Sequence, residues 1–161
     1  MNTEFMERIM LAVTEVNGCP LCSYAHTNLA LESGMSNEEI QKLLSGDLEK
    51  IPLKELPAIL FSQHYAESRG KPNLESWNRI VEIYGNQLAL GILGAIRMIM
   101  MGNAFGIVLS SLQGRFKRNS NDQNPLFYEL GMLLLFLPFL LISIPHRVIS
   151  FIVKRPIISF V

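Results

Sequence analysis

The sequence predicts an all-α protein, and three observations carry that prediction. Apolar residues recur at spacings of three and four, as in Phe5, Ile9, Val13 and Val16, which puts them on one stripe of a helix. No run alternates apolar and polar residues between hairpin turns, as a half-buried strand would. Glycine and proline fall between the periodic segments, where they stop and start helices.

The first helix spans about Thr3 to Val16 and is stopped by Asn17-Gly18, since glycine enters the left-handed turn that ends a helix without steric cost. The second opens at Cys19-Pro20, because proline suits the first helical position, where no amide N–H is needed. It runs to about Ser33, with Gly34 as its stop. Ser36-Asn37-Glu38-Glu39 fits a capping box, in which Ser36 and Glu39 each satisfy a free backbone N–H, so a short third helix follows to about Ser45. A fourth is predicted from Pro52 through Ala66, with Pro57 one turn in, and a fifth from about Leu74 to Tyr84. Gly85-Asn86 separates it from a long apolar sixth helix, Gln87 to about Gln113, whose strongly polar interruptions are Arg97 and Asn103. Residues 114–124 read as a polar loop. Pro125 restarts an apolar helix, Leu126 to Ile144, closed by Pro145-His146-Arg147, and the stretch from Val148 to Val161 mixes apolar residues with Lys154, Arg155 and Pro156.

At 161 residues the chain has room for one domain of the usual roughly 100–200 residues. Its 14 Lys and Arg balance 14 Asp and Glu, so no bulk charge attracts nucleic acid, and that class of partner is excluded. Hydrophobic residues make up 49% and charged residues 17%, a composition that excludes disorder and gives a mean hydropathy of +0.26. The excess apolarity lies from Leu88 onward. Glu4 and Glu7 stand where an export signal carries basic residues, so the first half is expected in the cytosol. Two cysteines are too few for a disulfide framework. Spaced as Cys19-Pro20-Leu21-Cys22, in a reducing compartment, they point to redox chemistry or a metal.

Cys19 at the N-cap and Cys22 in the first turn sit where free N–H groups and the positive helix end stabilise a thiolate. His26, four residues after Cys22, shares its helical face and is the residue type suited to moving a proton at neutral pH. A carboxylate is expected to orient that imidazole. Glu7 can serve if the first two helices pack antiparallel through Asn17-Gly18.

Glu7, eleven intervening residues, Cys19-Pro20-Leu21-Cys22, three more, then His26 resembles the alkylhydroperoxidase D-like family of the carboxymuconolactone decarboxylase superfamily. The run Thr27-Asn28-Leu29-Ala30-Leu31-Glu32-Ser33-Gly34 is similar to that family's helix and exit turn. The resemblance covers about Glu4 to Tyr84, weakens in the sixth helix and stops before Gly114. It implies an oligomeric helical bundle that reduces hydroperoxides without a cofactor or metal, with Cys22 as the peroxidatic thiol, Cys19 as the resolving thiol, and His26 and Glu7 as proton relay. An external dithiol would restore the pair. Superfamily members that decarboxylate lack this cysteine pair, so decarboxylation is not expected. One copy of the helical unit per chain implies a homo-oligomer. The domain layout expected is a redox domain over 1–113, the loop 114–124, and an apolar C-terminal segment over 125–161.

Rival readings stay open at this stage. The pair can belong to a general thiol-disulfide oxidoreductase, or be two inert buried thiols. Cys19, Cys22 and His26, with His64 or Glu7, can also hold zinc in a non-catalytic or redox-sensing module, although structural zinc sites usually pair two short ligand knuckles. A c-type haem is excluded because no histidine follows Cys22 directly. His64 and His146 read as packing or surface residues, and Met98, Met100 and Met101 as core fillers. Residues 126–144 approach the roughly 20 apolar residues needed to span a membrane, interrupted by Glu129 and Pro138. Basic residues flank both ends, so no orientation follows. Attachment to the cytoplasmic membrane is favoured over burial in an oligomer, because the sixth helix is apolar too and both need cover.

Overall fold

The computed structural model describes residues 1–116, 125–154, 157, 158 and 160. Among these there are helices and connecting turns and no strands, as the periodicity predicts. Six segments follow in order: α1 (Thr3–Asn17), α2 (Pro20–Glu32), α3 (Asn37–Leu44), α4 (Leu56–Glu67), α5 (Leu74–Phe116) and α6 (Leu126–Ile152).

α1 is the central element, touching α2, α3, α4 and α5. Asn2 caps it by accepting the Phe5 N–H at 3.0 Å, and its stripe of Phe5, Ile9, Ala12 and Val13 is buried together with Met10 and Leu11. Burying such side chains contributes about 1.5–3 kcal/mol each for the larger ones. The same helix buries a charge. Arg8 donates to Glu39 at 2.6 Å, to Glu55 at 2.9 Å and to Glu4 at 3.3 Å, tying α1 to α3 and to the turn before α4. Burial opposes the charged guanidinium, but hydrogen bonds and charge from Glu39 and Glu55 outweigh it and hold its pKa above the ordinary arginine value. This network alters one expected cap: Ser36 does accept the Glu39 N–H at 3.1 Å, but the Glu39 carboxylate goes to Arg8 and not back to the helix end.

α4 begins at Leu56, later than the expected Pro52. Pro52 instead closes a turn, its carbonyl accepting from Glu55 and Leu56 at 2.8 and 3.1 Å. Pro57 explains the shift, since inside a helix its ring would clash with the carbonyl four residues back, whereas in the first turn it fits. The fifth and sixth expected helices form one segment, α5, broken at Gly85, where φ is 72° and ψ 160°. Beyond that break Ala89, Ile92, Leu93, Ala95, Ile96 and Ile99 are buried in the core. By length and composition α5 is apolar enough to cross a membrane; its packing against α1, α2 and α4 accounts for the buried part of that apolarity, while Leu90, Met98, Met101 and Leu109 are exposed. Met98 and Met101 are exposed, contrary to their reading as core fillers.

α5 runs on through Gly114–Phe116, because Arg115 is fixed there by Glu129 at 2.9 Å; residues 117–124 of the expected loop lie outside the described residues, as do Arg155 and Pro156. α6 returns antiparallel along α5, with Phe136 packed edge-on against Phe105 at 4.1 Å between ring centroids. It does not end at Ile144. No glycine, asparagine or aspartate follows Pro145 to stop it, and the helix continues to Ile152, bent by 48° between Leu126–Phe136 and Pro138–Ile152. The chain end comes back to the body, with Arg97 donating to the Ile157 carbonyl at 2.6 Å and Ile158 buried in the core.

Candidate active site

Gly18 lets the chain reverse between α1 and α2. Its φ of 64° and ψ of 44° lie in the left-handed region, and its N–H closes α1 by donating to Thr14 and Glu15 carbonyls at 2.9 and 3.3 Å. Cys19 follows in extended conformation as the N-cap of α2, with Pro20 opening the helix. The cap is a sulfur atom: the Cys22 N–H donates to Cys19 Sγ at 3.2 Å, in the place where a serine or aspartate oxygen commonly sits. The positive end of α2 therefore bears directly on Cys19.

Cys19 and Cys22 are joined as a disulfide. Cys19 is 1% exposed and Cys22 8%, so both cysteines are buried. His26 stands one helical turn beyond Cys22 on the same face. Its Nδ1 lies 2.7 Å from Oε2 of Glu7, which α1 carries back across the turn and which is only 3% exposed. A carboxylate on Nδ1 fixes the ring orientation and favours the tautomer with Nε2 unprotonated, a proton acceptor. Nε2 has no hydrogen-bond partner among the described residues. The structure thus brings together all four residues singled out in the sequence, Glu7, Cys19, Cys22 and His26, on two adjacent helices.

Two groups near the pair were not anticipated. Gly106 of α5 presses on the sulfurs: a Cβ there would lie 2.5 Å from Cys22 Sγ and 2.6 Å from Cys19 Sγ. One turn earlier, Asn103 is 1% exposed and accepts the Thr14 hydroxyl at 3.2 Å. The available signal was Asn103 itself, a polar interruption in an apolar helix. Thr14 and Cys19, with Gly18, Pro20, Ser23 and Leu44, line an open cleft of about 290 Å³. A roomier cavity of about 380 Å³ lies between α4 and the start of α5, where His64 and Arg79 join Leu60 and Phe61, but it holds none of the four candidate residues. His64 is there engaged with Asn73 at 3.3 Å. Among the described residues no three His, Cys, Asp or Glu side chains cluster as a metal site would require. His146 is exposed.

Residues 3–48 match the carboxymuconolactone decarboxylase family. This stretch contains α1 to α3 and every one of the four candidate residues, in keeping with the resemblance read from their spacing. No curated protein and no solved structure matches the chain.

Proposed function

We propose, from the family match over residues 3–48 and the paired cysteines within it, that the protein is a thiol-dependent peroxidase. The observation that carries this reading is the 2.7 Å contact of Glu7 with His26 one turn from Cys22. Inert structural thiols need no such relay. In the reduced protein the Cys22 thiolate attacks one oxygen of a hydroperoxide, forming an S–O bond as the O–O bond breaks. The leaving alkoxide takes from His26 the proton that Nε2 accepted from the Cys22 thiol, and Cys22 becomes a sulfenic acid. The Cys19 thiol then attacks the Cys22 sulfur, the S–S bond forms and water leaves. An external dithiol returns two electrons and two protons by exchange. Cys22 is assigned the first step because it is the more exposed residue of the pair and the one that shares a helical face with His26.

The test is stopped-flow reaction of the reduced protein with a hydroperoxide beside Cys22→Ser and Cys19→Ser. Cys22→Ser is expected to be inert, and Cys19→Ser to consume one equivalent and stall as sulfenic acid. Peroxide consumption by Cys22→Ser at the parental rate overturns the assignment. Reduction of a disulfide substrate without any reaction with peroxide favours a general dithiol oxidoreductase.

A second proposal concerns location. Leu134, Leu135, Phe139, Leu141, Ile142 and Ile144 of α6 are all exposed, and at about 100° of rotation per residue they are scattered around the helix and do not form one stripe. A single partner helix covers one side only. A lipid surface covers such a helix from several sides, which supports attachment of a cytosol-facing redox domain to the cytoplasmic membrane. Exposed Leu90, Met98, Met101 and Leu109 on α5 are the surface a second copy would cover in a homo-oligomer.

A further inference from the structure

Asn103 holds a buried polar group that the disulfide state leaves unsatisfied. Thr14 can serve only one end of the amide. With its hydroxyl donating to Oδ1, the Nδ2 group is buried and has no hydrogen-bond partner among the described residues. Leaving such a donor without an acceptor is destabilising, so a buried amide on the core-facing side of α5 calls for a state in which it is used.

The sulfur pair is the neighbouring group whose acceptor strength changes. Gly106, three residues on and on the same face of α5, is in contact with both sulfur atoms. Side chains three apart on a helix are neighbours, so Asn103 stands about one turn from the pair. Thr14, which holds the other end of the amide, lines the cleft beside Cys19. A disulfide sulfur is a weak acceptor. Reduction by a dithiol breaks the S–S bond, adds two electrons, and leaves two sulfurs that must separate to van der Waals distance. One of them, as thiolate, carries full negative charge in a site where Cys19 and Cys22 are almost wholly buried.

We infer that Asn103 Nδ2 donates a hydrogen bond to the thiolate of the reduced Cys19/Cys22 pair, so that it is a positioning residue that stabilises the dithiol state relative to the disulfide. This rests on the redox-active reading of the pair, but not on peroxide being the oxidant.

The experiment is redox equilibration of the full chain with mixtures of reduced and oxidised dithiothreitol, together with the pH titration of thiolate absorbance in the reduced protein. Asn103→Leu, close in shape but without the amide, is expected to shift the equilibrium at least ten-fold toward the disulfide, about 30 mV for a two-electron couple, and to move the thiolate titration to higher pH. Asn103→Asp, which sets a negative charge beside the thiolate, should shift both further. Thr14→Val keeps the amide but frees its oxygen end, and a shift of at least three-fold in the same direction is expected even if the Asn103 variants fold poorly. A leucine variant within two-fold of the parent in both measurements overturns the inference, because a merely structural asparagine would alter stability and leave these readouts in place. If Asn103→Leu does not fold, a Thr14→Val protein indistinguishable from the parent overturns it. A parent whose pair cannot be cycled by dithiol at all defeats the redox reading of the site itself.

Discussion

Glu7 and His26 are nineteen residues apart in sequence, yet Oε2 of one lies 2.7 Å from Nδ1 of the other, because the left-handed Gly18 turns α2 back along α1. The contact joins a carboxylate that would be costly to bury alone to an imidazole that benefits from its charge. A purely structural salt bridge needs neither the neighbouring cysteines nor the cleft beside them. On the proposed function, the pairing of a fixed imidazole with a sulfur pair at a helix N-terminus would give the site a route for protons as well as for electrons.

Glu7→Gln tests that route with little change in shape, since the amide oxygen can still accept from Nδ1. Positioned acid–base groups contribute about 10²–10⁴-fold, and removal of the orienting charge should forfeit part of that. The rate of peroxide reduction by the prereduced protein is expected to fall by roughly ten-fold or more, and His26→Ala by about a hundred-fold. Thermal unfolding controls for damage to the fold. An unchanged rate in Glu7→Gln would mean the contact is structural only.

Gly106→Ala should act on the sulfur pair through space. Its Cβ would stand 2.5 and 2.6 Å from the two sulfurs, closer than atoms tolerate, and overpacking of this kind costs about 1–3 kcal/mol. Gly102→Ala on the same helix meets only Ile99 Cδ1 at 3.9 Å and gains helix propensity of up to about 1 kcal/mol. Opposite changes in urea midpoint for the two variants, with slowed disulfide formation in Gly106→Ala alone, are the expected result. Equal behaviour of the two would remove Gly106 from the site.

How legible this was in the sequence follows from the range of each interaction. The ends of α1, α2 and α3 could be read because Gly18, Pro20 and Ser36 act within their own turns. The cluster of Glu7, Cys19, Cys22 and His26 could be read because a tight turn and helical spacing convert sequence distance into position. Gly106 and Asn103 could not be placed, since only the packing of α5 across α1 and α2 brings them to the sulfurs. The start of α4 was misjudged for a local reason, the weight given to Pro52 over Pro57. The capping role of Glu39 was lost to a distant one, the capture of its carboxylate by Arg8 from α1.

Arg8 is the residue whose loss should cost most outside the site. Arg8→Ala leaves Glu39 and Glu55 without their cation, and breaking a buried ion network from one side typically costs about 3–5 kcal/mol. The folded-state pKa of Arg8 is raised, so its stabilisation is fully present below the ordinary arginine value and is lost only as pH rises through the higher folded value. The difference in unfolding free energy between parent and Arg8→Ala should therefore show no arginine titration between roughly pH 6 and 9. Arg8→Met, which restores volume but not charge, should recover part of the packing and none of the carboxylate pairing. A difference below about 1 kcal/mol in denaturant titrations of Arg8→Ala would show that the network is weaker than its burial implies.

The location of the protein turns on α6, where the sequence is apolar and the fold leaves it uncovered. Its one buried acid, Glu129, is 0% exposed and bonded to Ser111 and Arg115, which fixes the start of α6 to α5. Beyond it Leu135 and Ile142 are 65% and 66% exposed, so packing within the chain does not require them to be leucine or isoleucine. Replacing Leu135 and Ile142 by lysine should therefore change the thermal midpoint little, since exposed substitutions usually stay within about 0.5 kcal/mol. Burial of the same two residues in lipid predicts a large effect, because a lysine costs about 2.5–3.5 kcal/mol at the centre of the apolar layer and less toward its edge. Cosedimentation with vesicles of mixed phosphatidylcholine and phosphatidylglycerol is expected for the parent and reduced at least ten-fold in the double variant, with peroxide reduction in solution preserved. A parent that stays in the supernatant as a defined oligomer, and a double-lysine variant that dissociates it, would instead assign the cover of α6 to neighbouring copies of the chain.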